Sequence, residues 1–388
     1  MCVRRPGHAA VADPGAGRQP EKPERRRAPL PVFGRLLEPF YRVVIGRVNR
    51  RFDAGVGVTR VRDRKGSRIA VISIGNLSVG GTGKTPMVVH VVRTLREAGR
   101  RPCIAMRGYR RGGEAEGEAD ETDAYRREFP GVAIVAQPDR LSGINTLFAG
   151  GGGRGGDGIR EERPDCVVLD DGFQHRQIAR DLDVVLVDAT RSPFADRLLP
   201  AGWLREPVES LGRASAVVIT HAESARPDDL KQLLQRISAS HGKPPIAVTR
   251  HVWTHLVVTD SGGERGLGLD WLIGKRVLGC CAIGNPGAFA RSLRMTVEGS
   301  GRGEVSEMIT LPDHDPYTPG TVARLVQSAR RQGAEAIVVT DKDWSKLRRV
   351  SPPGGKWPCP LVRASLALVF DSGREEFDRL VVRAAGGE

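Results

Sequence analysis

Residues 68–99 change their apolar pattern twice. "RIAVISIGNL" (68–77) is an almost unbroken apolar run, the pattern of a strand buried on both faces. A glycine-rich break follows, and over 86–99 the apolar positions recur at helical spacing. The same alternation continues downstream. "RPCIAMRGYRR" (101–111) predicts a strand ending in basic residues and "GVAIVA" (131–136) a third strand. "PDCVVLDDGFQH" (164–175) predicts a strand ending in two aspartates, and "LDVVLVDA" (182–189) and "ASAVVITHA" (214–222) two more. Short β-rich runs separated by helix-length segments predict a parallel sheet with helices on both faces. A second α/β block is expected from "KRVLGCCAIGNPGAFARSLR" (275–294), "EAIVVTDKDWSKL" (335–347) and "CPLVRASLALVF" (359–370), with the alternating segment 246–258 as a β bridge between the blocks.

Upstream, "PVFGRLLEPFYRVVIGRVNRRF" (31–52) places Phe33, Leu36, Leu37, Phe40, Tyr41, Val44, Val48 and Phe52 at helical spacing. Arg35, Arg42, Arg47, Arg50 and Arg51 fall mostly elsewhere on the wheel, and Pro39 interrupts it. Such a helix either lies in a membrane interface, arginines at the headgroups, or covers the rest of the protein with its apolar face. Periodicity does not separate the two. Residues 1–30 have no periodicity and read as a disordered basic extension, or in part an over-long gene start; the glycine-rich stretch 150–158 reads as a flexible insertion.

Charge and cysteine usage narrow the function classes. The net charge is +14, but residues 1–65 hold 16 Lys or Arg against six Asp or Glu, so +10 of it lies at the N-terminus. The remainder is nearly balanced, which argues against a nucleic-acid partner. Six cysteines show no Cys-x-x-Cys pair, and Cys103, Cys166, Cys280 and Cys281 lie in apolar runs, as expected of buried reduced thiols in a cytoplasmic protein. No apolar run reaches the roughly 18–20 residues that span a bilayer. At 388 residues, two domains are expected.

The break at 78–85, Ser78-Val79-Gly80-Gly81-Thr82-Gly83-Lys84-Thr85, has most of a phosphate-binding loop, with Ser78 where the first glycine usually stands. Between strand and helix, backbone N–H groups there can surround phosphate oxygens, Lys84 can reach the β/γ-phosphates and the Thr85 hydroxyl can bind Mg²⁺. Asp170 and Asp171, ending a hydrophobic strand about 85 residues later, are expected to hold the metal and to divide that work with substrate positioning. The guanine-reading Asn-Lys-x-Asp is absent. Thr220-His221-Ala222-Glu223 stands at the analogous strand end, which disfavours a GTPase. Val79 stands where partitioning and metal-inserting ATPases often carry a lysine. A P-loop ATPase switch or chaperone without a lipid substrate remains the alternative to small-molecule phosphoryl transfer.

In order and spacing, "SIGNLSVGGTGKTP", "RGYRR", "LDDGFQHRQIARDLDVVLVDA", "RLLPAGWLREP", "LPDHDPYT" and "VVTDKDWSKL" resemble the tetraacyldisaccharide 4′-kinase family through most of residues 30–350. The resemblance implies an ATP- and Mg²⁺-dependent kinase that phosphorylates the 4′-hydroxyl of an acylated disaccharide 1-phosphate, giving lipid IVA at the cytoplasmic face of the inner membrane. It also implies a P-loop NTPase-like α/β domain and a smaller second α/β domain, joined by a short β linker, with an N-terminal amphipathic helix on the membrane. The boundaries expected are 1–30 for the extension, 31–55 for the helix, 56–240 for the P-loop domain, 241–262 for the linker and 263–388 for the second domain. Asp120, in "EADET", matches the family's catalytic aspartate, although Ala119 and Thr122 replace its glycine and proline flanks; His314 matches a histidine of the second domain. A carboxylate paired with an imidazole can accept the hydroxyl proton. A solvated surface aspartate and an ordinary loop histidine are the plainer readings of the two. Gln174 and His175 are placed at the strand end where ligands bind. Arg205 and Glu206 are expected to organise the cleft or contact phosphate, and Arg107 and Arg110 to pair with the lipid phosphate.

Overall fold

The computed structural model describes residues 33–108, 116–150, 163–313 and 315–387, without the side chains of 116–121. The basic extension, most of the glycine-rich insertion, Arg110 and His314 lie outside the described residues. A parallel array of β1 (Ala70–Asn76), β2 (Pro102–Met106), β3 (Ile134–Ala136), β4 (Cys166–Asp170), β5 (Leu182–Asp188) and β6 (Ala216–Thr220) runs in the order β6-β5-β1-β4-β2-β3. All but the edge strand β3 are buried on both faces, which is why they read as continuous apolar runs. Ile72, Ile74, Val184 and Leu186 point into one core with α2 (Lys84–Glu97), while Val185, Val187, Val217 and Ile219 point into the opposite one with α5 (Pro227–His241). Cys103, Cys166, Cys280 and Cys281 are free and buried, as the apolar runs around them require.

The two α/β blocks share one large, mostly parallel sheet. β7 (Ala247–Asp260) pairs in parallel with β6 only at Ala247 and Val248, then runs antiparallel along β12 (Leu361–Ser372) from end to end. β12 continues into β11 (Ala336–Val339), β9 (Arg276–Cys281) and β10 (Glu304–Thr310), all parallel, while β8 (Gly263–Leu267) forms a hairpin on β7. The expected bridge at 246–258 is thus a 14-residue strand within a 12-stranded sheet. After β12 the chain returns to the first block: α9 (Arg374–Ala384) places Phe377, Val381 and the following Ala385 in the core of Ile72, Val88, Val91 and Leu95. His90 of α2 contacts Asp378 of α9 at 2.7 Å, closing the same interface with a polar pair.

α1 (Phe33–Asp53) is one 21-residue helix that contains Pro39. It docks by its small and polar side. Gly34 is buried so tightly that a Cβ would lie 2.7 Å from the Pro200 carbonyl. Arg197 donates to Glu38, Tyr41 donates to the Arg205 carbonyl at 2.9 Å, and Asn49 donates to Glu206 at 2.8 Å. The apolar side faces outward, with Leu36 75% and Phe40 71% exposed and Phe33, Leu37, Val43, Val44 and Val48 also uncovered. Among the described residues, most of the periodic apolar positions of this helix are left uncovered by the rest of the protein. Tyr41 and Phe52 depart from the outward face, Tyr41 to bond Arg205 and Phe52 to lie under the Arg176 guanidinium.

Replacing Phe377 by alanine is expected to destabilise the first block by about 3–5 kcal/mol, the usual cost of emptying a buried aromatic site. Urea unfolding followed by Trp203 fluorescence, in a chain with the other tryptophans replaced, would register it; an unchanged midpoint would separate α9 from that core.

Candidate functional site

The loop between β1 and α2 is where strand order places a ligand, at the C-terminal edge of the parallel sheet. Gly80 has φ 123° and Gly83 φ 80°, conformations that L side chains rarely adopt. Among the described residues the Gly80, Gly81 and Gly83 amides donate to no backbone group, whereas Val79 N–H donates to the Trp203 carbonyl at 2.8 Å. Val79 therefore departs from the expected phosphate-binding set, its amide being used to stitch the loop to residues 203–205. Ser78 bridges to Leu204 in the same seam, so a serine there serves a strand-like turn in which a first glycine has no task. Thr82 is buried, its Oγ1 without a partner among the described residues, while its carbonyl accepts from Thr220.

β4 brings the aspartates to this loop. Asp170 lies opposite Ile74 in the parallel ladder, and the chain then crosses close to β1. A Cβ on Gly75 would lie 2.5 Å from the Phe173 Cβ, and one on Gly172 would lie 2.6 Å from Ser73 Oγ. These two glycines are what allow the approach. Asp171 follows at φ 51°, a left-handed conformation that aspartate tolerates better than most residues. Its carboxylate meets Lys84 Nζ at 3.5 Å and accepts from Arg205 at 2.7 Å. Burial alone would raise the Asp171 pKa, but Lys84 and Arg205 outweigh it and hold the group at about 2. Asp170 instead accepts from the Tyr125 hydroxyl at 2.9 Å, and Arg140 donates to the carbonyls of both aspartates at 2.8 and 3.1 Å. The two carboxylates therefore have different partners.

Of the other expected residues, Gln174 lies in the site, accepting from Arg205 at 3.2 Å and donating to the Asn76 carbonyl at 2.9 Å. His175 is half-buried, and desolvation followed by the nearby Arg140 and Arg180 lowers its pKa to about 4, so the imidazole is neutral near pH 7. Of the two roles expected of Glu206, organising the cleft or contacting phosphate, its surroundings leave only the first. It is 1% exposed, and its oxygens are taken by Arg213, Asn49 and Ser210, so it anchors α1 and cannot contact a ligand. Asp120 lies in α3 (Glu116–Glu128), on a helix and not in the charged loop of its plainer reading, with its side chain outside the description. The structure thus brings Lys84, Asp171, Arg205 and Gln174 together; it describes neither the Asp120 side chain nor His314.

Several site residues carried no sequence signal of their own. Asn76, buried at the end of β1, accepts from Lys84 Nζ at 3.4 Å through its side chain. Arg140 and Tyr125 reach the aspartates over 30 and 45 residues of sequence. Arg191 lies beside Gly80 and donates to the Gly284 carbonyl at 3.0 Å, joining the loop to the turn after β9. Asp188 ends β5 much as Asp170 ends β4, and that repeated ending was its only available signal.

The donor set suits a Mg-polyphosphate. Gly80, Gly81 and Gly83 offer amides and Lys84 a cation, while the Thr85 hydroxyl, Asp170 and Asp171 are the hard oxygen donors that Mg²⁺ prefers. Replacing Arg205 by alanine removes one of the three charges, with Lys84 and Arg140, that depress Asp171. Its pKa then rises from about 2 toward the ordinary carboxylate range. The stabilisation linked to this carboxylate is present above the unfolded pKa and is lost as pH falls through the folded one. The variant is therefore expected to lose it at higher pH, so unfolding midpoints measured from pH 6 to pH 2 should fall earlier on acidification than in the unsubstituted chain.

Comparison with known proteins agrees with this geometry. Residues 33–382 match the family described as tetraacyldisaccharide-1-P 4'-kinase. A tetraacyldisaccharide 4'-kinase of Anaeromyxobacter dehalogenans (strain 2CP-C) is 36% identical over 296 residues, covering 71% of this chain and 72% of the relative. Another of that name from Syntrophus aciditrophicus (strain SB) is 33% identical over 371 residues, covering 89% and 90%. The crystal structure of LpxK from Aquifex aeolicus in complex with ATP superposes with a TM-score of 0.60 at 27% identity, covering 90% of this chain and 97% of that one. With the loop, the paired aspartates and the sheet order in place, the chain belongs to the tetraacyldisaccharide-1-phosphate 4'-kinase family.

Proposed function

We propose that the protein transfers the γ-phosphoryl group of ATP to the 4′-hydroxyl of a tetraacyldisaccharide 1-phosphate, producing lipid IVA in lipid A biosynthesis. The observation that carries this reading is Lys84, held at the mouth of a glycine-rich loop by Asn76 and Asp171. On ATP binding, Lys84 would exchange Asp171 for the β/γ-phosphates, while the amides of residues 80–85 surround phosphate oxygens. Thr85, Asp170 and Asp171 would hold Mg²⁺, which neutralises charge on the phosphates. Arg205 keeps Asp171 ionised throughout, and Gln174 fixes Arg205 from the other side.

As the acceptor oxygen bonds to the γ-phosphorus, its proton must leave and the bond from that phosphorus to the β-γ bridging oxygen must break, with ADP departing. We assign the proton to the His314–Asp120 pair, the imidazole taking it and the carboxylate stabilising the resulting cation. His314 follows β10 in the second block, and Asp120 lies on α3 in the first. The pair is proposed to meet when the blocks close on both substrates. Arg107 and Arg110 are assigned to the lipid's 1-phosphate.

The outward apolar face of α1, bordered by exposed Arg35, Arg42, Arg47, Arg50 and Arg51, supports peripheral attachment to the cytoplasmic face of the inner membrane. No described helix is long and apolar enough to cross a membrane, so attachment by this face is the mode proposed.

Incubating the purified chain with Mg-ATP and detergent-dispersed tetraacyldisaccharide 1-phosphate is expected to yield a bisphosphorylated lipid, seen by mass spectrometry. A folded protein that hydrolyses ATP at the same rate with or without the lipid, and forms no such product, would instead be an ATPase switch or chaperone. Lys84→Ala is expected to lower turnover by about 10²–10³, in the range for removing one group that stabilises transition-state charge. His314→Ala and Asp120→Ala should reduce kcat far more than they raise the KM for ATP. Leu36→Glu with Phe40→Glu should abolish sedimentation with anionic vesicles and leave ATP binding intact.

A further inference from the structure

Beside the phosphate loop, at the β6–β7 end of the sheet and away from Asp170 and Asp171, three side chains converge to which the proposed phosphoryl transfer assigns no role. The sheet brings them together. Ile219 of β6 lies level with Val248 of β7, so His221 and Glu223, just past the end of β6, come level with His251, three residues further along β7. His221 adopts φ 57°, which turns the chain into the short 3-10 helix Ala222–Ser224. Its Nδ1 lies 3.4 Å from Glu223 Oε1, and its ring centroid lies 4.2 Å from that of His251. The other Glu223 oxygen accepts from the His251 backbone N–H at 3.1 Å, which fixes the carboxylate and leaves Oε1 directed at the imidazoles.

One donor atom from each of His221, Glu223 and His251 can be chosen so that all three lie within 4.8 Å of one another. Ligands about 2.0–2.1 Å from a tetrahedral ion are separated by roughly 3.3 Å, a spacing that the His221–Glu223 pair already has and small side-chain rotations would give the third. A second, independent observation concerns His251 itself. It is 6% exposed, and neither Nδ1 nor Nε2 has a hydrogen-bond partner among the described residues. Buried polar groups are rarely left so, because desolvation without a partner is costly. A cation supplies the partner for a ring lone pair.

We infer that His221, Glu223 and His251 form a binding site for a divalent transition metal of the Zn²⁺ class, distinct from the Mg²⁺ donors of the phosphoryl-transfer site. Two imidazoles and one carboxylate select a borderline ion over Mg²⁺, which prefers oxygen donors and holds its water tightly. Three protein ligands leave one position for water, and Glu223, the exposed member, provides the way in. The ion would tie the end of β6 to β7 beside the loop. A Cβ on Gly83 would lie 2.8 Å from His251 Cε1, so the ring that binds the metal also abuts the residue preceding Lys84.

The test uses the untagged full chain, stripped of metal with a chelator and titrated with Co²⁺ in the presence of excess Mg²⁺. The expected result is one equivalent bound with the strong visible bands of a four- or five-coordinate ion, displaced by an equivalent of Zn²⁺. Glu223→Gln lies at the surface and keeps the acceptor for the His251 amide, so its fold should survive, which circular dichroism would verify. It and His251→Gln are expected to weaken binding by about 100-fold or more, beyond the 10–100-fold cost of losing a residue that merely supports a ligand. Cys359→Ala and Asp170→Asn should leave the bands unchanged. Absence of the bands from the unsubstituted chain overturns the inference, as do bands that persist undiminished in folded Glu223→Gln, or bands that vanish with Cys359→Ala or Asp170→Asn.

Discussion

The placement of Asp171 between Lys84 and Arg205 is the contact on which the geometry of the site depends. A lysine at a phosphate loop is a partly buried cation that needs a counter-charge before a nucleotide arrives, and Asp171 provides it at 3.5 Å. Each of the three groups belongs to a different segment: Lys84 opens α2, Asp171 follows β4, and Arg205 follows the Trp203–Leu204 seam beside Ser78 and Val79. The ion cluster therefore joins the two ends of the loop to the strand beside it. It forms only because Gly75 and Gly172 let β4 run close against β1. Arg205 extends the connection outward, since its carbonyl receives the Tyr41 hydroxyl of α1 while the neighbouring Glu206 receives Asn49. The helix proposed to meet the membrane thus bonds the backbone of Arg205, which with Lys84 holds Asp171 ionised.

The legible parts of the sequence were those in which local pattern and tertiary role coincide. β1, β4, β5 and β6 read as strands because both of their faces are buried, and the loop reads as a phosphate site because glycine spacing and lysine position are themselves the mechanism. Where a role depends on a distant partner, the residues alone were silent. Helical spacing in α1 identified an apolar face but not whether anything covers it, and Tyr41 and Phe52, at periodic positions, turn toward the protein. Glu206 was expected to organise the cleft or contact phosphate, and nothing in "LREP" tells between the two, because Arg213, seven residues on, occupies its carboxylate. His251 and His221 are 30 residues apart, and their meeting follows from strand register, which no local pattern encodes. Asp120 and His314 were singled out by family resemblance alone.

The shared sheet constrains how the two blocks can approach one another. β7 and β12 form an antiparallel ladder that runs the length of both strands, with irregularities between Ser365 and Leu366 and between Phe370 and Ser372. A floppy tether would permit any relative orientation; a hydrogen-bonded ribbon permits twist and bend about its own axis and little else. Arg191 donates to the Gly284 carbonyl, and Arg349 of the second block lies 3.1 Å from Asp123 of α3, so polar contacts also join the blocks away from the sheet.

The return of α9 to the first block bears on how the protein is made. Domains of a growing chain generally fold as they emerge, N-terminal ones first. Here the core around β1 and α2 lacks Phe377 and Val381 until residues near the C-terminus have left the ribosome. The nucleotide-binding half, although encoded first, is completed last, and until then the apolar side of α2 stands uncovered where α9 will lie. A ribosome that stalls within the second block leaves the first block's core unfinished, so α9 acts as a seal applied only after the second block has been made.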